Sequence, residues 1–312
     1  MVTVTGSGKT VRGTTTWKQI VSDRWMYLFM LPGLVYFIMF TYIPMGLNFI
    51  AWKNYQPFIG ILDSEWVGWQ NFSRLFNDAQ FEQALINTIQ IEVLQLLFAF
   101  PAPLLLALLL NSLISEPIKR TIQSIVYLPH FLSWVIVIAL WNQVFGGAGV
   151  INQTLSDNGW GALNIMGNPD FFKPLVVLQS MWKDIGWGTI IFLAALTKID
   201  VQLYEAAAMD GANGRRRLFD VTLPGIRNIV ILLLILRMGS MFSTGFEQYF
   251  LQRNAVGPEA AEVLDTLVYT LGFNAGQWSF ASAVGIVRGL VAAVLIVFAN
   301  WLAKKAGEDG LF

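Results

Sequence analysis

The sequence contains no cysteine and only one histidine, His130, among its 312 residues. The lack of cysteine excludes disulfides and thiolate catalysis and argues against a metal site. One histidine cannot form a histidine metal cluster, and a serine–histidine triad would have to use His130. No nucleophile and base stand at a recognisable spacing, so no catalytic residue is predicted.

Charge is also scarce. Asp, Glu, Lys and Arg make up 13% of the chain, whereas a soluble domain carries about 25%. Hydrophobic residues account for 55% of the chain, and its mean hydropathy is +0.56. This composition predicts a membrane protein. The formal net charge is zero, so overall charge does not suggest a nucleic-acid partner.

The segment Gly6-Ser7-Gly8-Lys9-Thr10 resembles the end of a phosphate-binding loop. The complete motif needs a glycine where Thr3 stands, and it needs a preceding strand. We therefore expect no nucleotide site and no cofactor in this chain.

Six stretches reach the length of about 20 mostly apolar residues that a spanning helix needs. Helices are expected because backbone polar groups in lipid must be satisfied within the segment. The predicted fold is an all-α membrane protein with six transmembrane helices in residues 25–303, between tails at 1–24 and 304–312. Pro32, Pro101 and Pro103 predict kinks. The predicted spans are residues 25–50, 85–110, 122–145, 174–196, 229–250 and 280–303.

Lysine and arginine predict the orientation. With a cytoplasmic N-terminus, the inner segments hold 13 of them and the outer segments hold 4. The positive-inside rule therefore places both termini in the cytoplasm. The inner group is Lys9, Arg12, Lys18, Arg24, Lys119, Arg120, Lys198, Arg215, Arg216, Arg217, Arg227, Lys304 and Lys305. The outer group is Lys53, Arg74, Lys173 and Arg253, and Lys183, Arg237 and Arg288 lie within spans.

Residues 198–228, here called the coupling segment, lie between the predicted fourth and fifth spans and contain EAAAMDGANGRRRLFDVTLP. Two short helices, at 201–210 and 215–221, are expected on either side of Gly211 and Gly214, since glycine adopts conformations closed to other residues. Small residues permit close docking, and the Glu205 carboxylate can form a charge-assisted bond. The alternative is an amphipathic stretch whose arginines face anionic lipid.

The order of residues resembles the EAA loop of binding-protein-dependent ABC importer permeases. That pattern is carried by Glu205-Ala206-Ala207, by Gly211, by Val221 in the aliphatic position and by Leu223-Pro224. Further segments look like sugar-importer permeases, in particular those for polysaccharide fragments such as alginate and pectin oligosaccharides. These are the segments at residues 31–33, 42–44, 66–72 and 127–131.

The resemblance implies a type I importer in a bacterial cytoplasmic (inner) membrane. It implies two six-span permease subunits, expected to be different chains, and two ATPase subunits that bind ATP and Mg. A periplasmic or surface solute-binding protein would deliver an oligosaccharide, and alginate is one candidate. The residues expected to couple this chain to the ATPase are Glu205, Ala206, Ala207, Asp210, Gly211 and Pro224.

Polar and aromatic residues inside the spans predict a substrate path, because charge in a membrane usually faces a cavity or a partner. Tryptophan can stack on a sugar ring, and the cations would suit an acidic sugar. The alternative is that these charges pair with one another or cap helix ends. For His130 a structural hydrogen bond is expected. The candidates are Asn142, Gln143, Trp182, Lys183, Asp184, Trp187, Arg237, Glu247 and Arg288.

A second function class is an ion-coupled secondary transporter that uses Glu92, Asp184 or Glu247. Such a carrier would not need the EAA pattern, and six spans would be few for it. A membrane-embedded enzyme or scaffold is the third class.

Overall fold

The computed structural model describes residues 23–242, 245–305, 307 and 310. The phosphate-loop-like segment and most of the predicted N-terminal tail lie outside the described residues. The chain divides into two compact units, residues 1–50 and 51–312.

The first unit contains α1 (Arg24–Phe37) and α2 (Ile43–Leu47), joined by a π-helical turn at Ile38–Tyr42. Pro32 lies inside α1. A 3-10 turn, Asn48–Trp52, leads into the second unit.

The second unit is helical apart from a small antiparallel hairpin of β1 (Lys53–Asn54) and β2 (Glu65–Trp66). Its helices are α3 (Gln70–Leu75), α4 (Ala79–Leu94), α5 (Pro101–Asn111), α6 (Glu116–Tyr127), α7 (Trp134–Phe145), α8 (Val150–Asp157), α9 (Phe172–Leu196), α10 (Val201–Met209), α11 (Gly214–Arg217), α12 (Leu223–Ser240), α13 (Phe246–Val256), α14 (Pro258–Ala261), α15 (Leu264–Tyr269) and α16 (Trp278–Lys305). The all-α prediction is therefore confirmed.

Among the described residues, five helical runs are long and apolar enough to cross a membrane: Arg24–Trp52, Ala79–Asn111, Trp134–Asp157, Gly214–Ser240 and Trp278–Lys305. Helix α9 is the sixth candidate. It has 25 residues, about 37 Å at 1.5 Å per residue, but it carries Lys183 and Asp184 near its middle. The six-span count therefore stays a prediction for α9.

The predicted bounds of two spans are wrong. The span at 122–145 is interrupted, because α6 ends at Tyr127, a 3-10 turn occupies Leu128–Phe131, and Leu132 and Ser133 are extended. Pro129 lies in that turn and supplies no backbone donor. The Ser133 hydroxyl then caps α7, accepting from the Ile136 amide at 3.4 Å.

The span at 229–250 begins and ends earlier than predicted. Helix α11, a π-helical turn at Leu218–Thr222 and α12 form one run from Gly214 to Ser240. The next helix, α13, starts only after Gly245, whose φ of +93° favours glycine. The last part of the coupling segment is thus the beginning of a spanning helix.

Close helix contacts hold the middle of the second unit together. Helix α9 packs along α5, and α12 packs along α16. Gly188 makes the first contact tight, because a Cβ at this position would lie 2.8 Å from Pro103 Cγ. A Cβ at Gly186 would overlap the carbonyl of Val126 at the end of α6. Small residues of this kind let membrane helices approach closely.

Pro101 produces a local change of helix type where a kink was predicted. The residues before it form a π-helical turn, Gln95–Ala99, and the Phe100 amide donates to Gln95 O at 2.9 Å. This i to i−5 bond occupies a carbonyl just upstream of the missing proline donor.

Candidate functional site

The coupling segment contains a short, well-capped helix that projects from the bundle. Asp200 caps α10, with its Oδ1 accepting from the Gln202 amide at 2.9 Å. No residue of α10 is buried. The helix ends at Met209 with Asp210 as its C-cap, and Gly211 adopts a φ of +74° that lets the chain turn.

The residues predicted to meet the ATPase are accessible. Glu205, Ala206, Asp210 and Gly211 are exposed, and Ala207 is half-buried. Pro224 is exposed in the first turn of α12. Two apolar side chains beyond the six residues predicted to couple this chain to the ATPase are also accessible on this helix: Met209 is 89% exposed and Leu203 is 53% exposed. An exposed apolar and acidic helix of this kind is suited to protein docking.

Side-chain bonds join α10 to the start of the fifth span. The Arg217 Nε donates to Ala212 O at 3.0 Å. The hydroxyls of Tyr204 and Thr222 lie 3.0 Å apart, and Thr222 Oγ1 donates to Arg217 O at 3.2 Å. Arg217 therefore braces the coupling segment. The lipid-facing interpretation stays a prediction for Arg215 and Arg216, which are exposed.

A cavity of about 390 Å³ lies among the α4–α5 helical run, α9 and α12. Most of its lining is apolar. Four chemically distinctive residues also line it: Gln95, Asp184, Trp187 and Arg237. Three of these were predicted for the substrate path, namely Asp184, Trp187 and Arg237. We call this space the central cavity.

Arg237 is held by two partners on the α4–α5 run. Its Nη2 lies 3.3 Å from Glu92 Oε2 and donates to Gln95 Oε1. Gln95 Nε2 in turn donates to the Tyr249 hydroxyl at 3.2 Å. Glu92 is only 1% exposed, and its Oε1 has no hydrogen-bond partner among the described residues. The charge on Arg237 is thus partly neutralised at the cavity wall.

His130 makes the structural hydrogen bond that was expected of it. Its Nδ1 lies 2.8 Å from Asp184 Oδ1, on a helix 54 residues away in sequence. The imidazole stacks on Trp187, with ring centroids 4.5 Å apart and planes 6° from parallel. His130 thereby orients both the carboxylate and the indole that face the central cavity.

Lys183 has a bracing position. Its Nζ donates to His130 O at 2.6 Å and to Leu132 O at 2.7 Å, and the residue is buried. These carbonyls belong to the break between α6 and α7, where helical bonds are missing. The ammonium group satisfies them, which is the capping alternative considered above. Its neighbour Trp182 contacts Trp141 edge-on, with centroids 6.4 Å apart.

The other predicted path residues do not line the central cavity. Asn142 and Gln143 are exposed near the end of α7, and Glu247 is exposed in α13. Arg288 on α16 forms an ion pair with Asp265 on α15. The cavity therefore gathers only part of the predicted path.

A buried glutamine cluster was missed by the sequence analysis. Gln179, Gln248 and Gln252 are at most 2% exposed. Gln179 Oε1 accepts from Gln248 Nε2 at 3.1 Å and from Gln252 Nε2 at 3.0 Å, while its own amide donates to Gln252 Oε1 at 2.9 Å. The only available signal was the i, i+4 spacing of Gln248 and Gln252, which places them on one helix face.

Comparison with known proteins identifies the family. Residues 99–307 match the model of the binding-protein-dependent transport system inner membrane component. The chain belongs to this family. The match covers more than half of the chain and includes the coupling segment, the glutamine cluster and every residue that lines the central cavity except Gln95.

Two curated relatives from Bacillus subtilis (strain 168) are similar over nearly the whole chain. Protein LplB is 44% identical over 302 residues, covering 96% of this chain and 95% of the relative. The polygalacturonan/rhamnogalacturonan transport system permease protein YteP is 44% identical over 295 residues, covering 94% and 92%.

The fold also matches a solved structure. A chain of a bacterial alginate ABC transporter, crystallised with its alginate pentasaccharide-bound periplasmic protein, superposes with a TM-score of 0.86. It is 35% identical, and the match covers 95% of this chain and all of that chain. The predictions of an ABC importer permease fold and of a transport subunit that is not an enzyme are confirmed. The ion-coupled carrier is not favoured.

Proposed function

We propose that this chain forms half of the pore through which an ATP-driven importer moves an oligosaccharide. The observation that carries the proposal is 44% identity along 94% of the chain to a permease named for polygalacturonan and rhamnogalacturonan. The alginate transporter similarity adds a second acidic polysaccharide. An acidic oligosaccharide, such as an alginate or pectin fragment, is the substrate class proposed.

The coupling role is assigned to α10. The assignment is supported by the exposure of this helix, which has no buried residue and carries Glu205, Ala206 and Ala207. Side-chain hydrogen bonds hold the surrounding segment in place. Helix α10 would dock into a cleft of the ATPase subunit, where Glu205 meets a basic group. Because α11 and α12 are continuous, movement of the docked segment would shift the wall of the central cavity as a rigid element.

The partners follow from the same proposal. A second six-span permease, expected to be a different chain, would complete the pore, and two ATPase subunits would bind ATP and Mg. A solute-binding protein would deliver the sugar on the outer face. The excess of Lys and Arg in the inner segments supports cytoplasmic termini in a bacterial inner membrane.

Sugar contact is proposed for the central cavity. Trp187 offers an aromatic face, and Asp184 and Gln95 offer hydrogen-bonding groups. Arg237 adds a cation whose only ion-pair contact with Glu92 is made through Nη2. Such a cation suits the carboxylate of a uronate that passes through the cavity. The volume of about 390 Å³ lies within the range of about 300–1,000 Å³ typical of ligand sites.

Purification from native membranes in a mild detergent, followed by mass spectrometry and uptake assays, tests the proposal. We expect a P-loop ATPase and a second six-span chain to co-purify with this chain. The reconstituted complex should import uronate oligosaccharides when its solute-binding protein and ATP are present. Recovery of this chain alone, in a detergent that keeps a known importer whole, would contradict it.

A further inference from the structure

A small hairpin between the first two apolar helical runs exposes large apolar side chains outside the spans. It comprises β1, β2 and the loop that joins them, in the segment between the run that ends at Trp52 and the run that starts at Ala79. The Tyr55 amide donates to Ser279 Oγ at 2.9 Å, in the first turn of α16. This end of α16 faces outward in the orientation proposed above, and we call residues 53–66 the outer hairpin.

Internal hydrogen bonds fix the loop of the outer hairpin. The buried Lys53 lies in β1, and its Nζ donates to Ile61 O at 2.8 Å and to Leu62 O at 2.7 Å. Ser64 is also buried, and its hydroxyl accepts from the Gln56 amide at 3.1 Å. Because the loop is already ordered, a partner that binds it meets little further loss of conformational entropy.

The fixed loop leaves large apolar side chains uncovered by the rest of the chain. Phe58 is fully exposed and Leu62 is 88% exposed, and about half of Ile59 is exposed between them. Removing such side chains from water is favourable, but the fold of this chain does not do so. Apolar side chains grouped on a rigid loop are typical of an interaction surface.

The charge of the outer hairpin favours a protein partner over the membrane surface. Segments that insert apolar side chains at a membrane surface carry Lys or Arg beside them. Residues 54–68 include neither, whereas Asp63 and Glu65 are both exposed. The Lys53 ammonium is directed to the loop carbonyls. The surface that fits is therefore an apolar pocket with basic groups at its edge.

We infer that the outer hairpin docks the solute-binding protein through an apolar pocket that takes Phe58 and Leu62. Asp63 and Glu65 then meet basic groups at the edge of that pocket. The inference rests on the proposed function, which supplies both this partner and the outward orientation. The other subunits of the proposed importer would meet the chain along its spans and at the coupling segment, so the outer hairpin is left for the protein that delivers the sugar.

The affinity of the assembled transporter for the solute-binding protein recovered with it tests the inference. Phe58→Ala should raise the Kd about thirtyfold, because a few buried apolar anchors carry most of the affinity of an interface. The matched control is Phe76→Ala, which removes another exposed phenylalanine of the same predicted outer segment but outside the hairpin. The control should change the Kd less than about twofold. Both variants should unfold at the wild-type temperature, because neither side chain is buried.

A fluorescent label distinguishes the protein partner from lipid. The chain has no native cysteine, so Phe58→Cys places its one thiol on the loop for an environment-sensitive fluorophore. In lipid nanodiscs we expect an emission typical of water, which shifts to the blue when the solute-binding protein is added. An apolar emission before the addition would place the hairpin in lipid and overturn the inference.

The two variants also separate this inference from the proposed function. Equal Kd values for Phe58→Ala and Phe76→Ala, in a complex that imports the sugar, would overturn the outer hairpin as the docking surface and leave the proposed function standing. A loss confined to Phe58→Ala, in a complex that imports no oligosaccharide, would support the docking surface and contradict the proposed function.

Discussion

The coupling helix α10 and the middle of α9 both carry charge next to small residues, but their surroundings are opposite. In α10 no residue is buried, and Glu205 and Asp210 face outward. In α9 the ammonium of Lys183 is buried against two backbone carbonyls. A charge on α10 is therefore available to another protein, whereas the charge on α9 maintains the fold around the central cavity. Charged side chains are thus accessible in one region and hold the backbone in the other.

The largest effect should come from reversing the charge of Glu205 on the exposed helix α10. For Glu205→Lys, ATP-driven uptake is expected to fall about a hundredfold, because losing one partner of an interfacial charge pair costs about 2–5 kcal/mol. Uptake in proteoliposomes with the assembled complex is the measurement. Thermal unfolding should stay unchanged, because the side chain is exposed.

Glu116→Lys provides the control, since Glu116 is another exposed carboxylate in a segment predicted to be cytoplasmic. Equal losses for both variants would show that any added cation impairs transport, and the coupling role of Glu205 would be refuted.

On the buried side, Lys183→Met should lower stability by about 3 kcal/mol, because two carbonyls lose a charged donor. Thermal unfolding in detergent, followed by size exclusion, measures this loss. Lys173→Met on the same helix should cost far less, because Lys173 is only half-buried and bonds one side-chain oxygen, that of Gln90. A Lys183→Met protein that is stable but imports sugar weakly would instead indicate that Lys183 belongs to the substrate path.

The glutamine cluster extends the comparison to uncharged groups. Gln179→Leu removes three side-chain bonds, and at about 0.6 kcal/mol per bond in a membrane protein the loss is about 2 kcal/mol. Gln202→Leu on the exposed α10 should change stability by less than about 0.5 kcal/mol. Equal unfolding temperatures for the two variants would mean that the cluster adds nothing to stability.

The smallest effect is expected within the coupling segment itself. Gly211→Ala forces a side chain into the left-handed region, at a cost of about 1–2 kcal/mol. Gly214→Ala serves as the control, because its φ is not positive and nothing lies within 4 Å of an added Cβ. Docking affinity for the ATPase, measured by titration in detergent, should weaken only for Gly211→Ala.

Local patterns account for what the sequence predicted. Hydropathy identifies runs of apolar residues, and three of the five apolar helical runs coincide closely with their predicted spans. The EAA pattern is contiguous, so its helix, its glycine turn and its exposure could all be anticipated. The breaks at Pro129 and Gly245 were missed because an apolar run continues through them, while helix continuity depends on backbone donors and φ angles.

By itself, the sequence determined that this is a helical membrane protein with a segment that resembles the EAA loop of importer permeases. It could do so because composition, span length and the EAA spacing are properties of neighbouring residues. Only the tertiary structure decided which intramembrane charges are paired with another side chain of the protein. His130 meets Asp184 and Arg237 meets Glu92 across 54 and 145 residues of chain. Such pairings arise from helix packing, which brings together side chains whose separation along the chain carries no periodic signal.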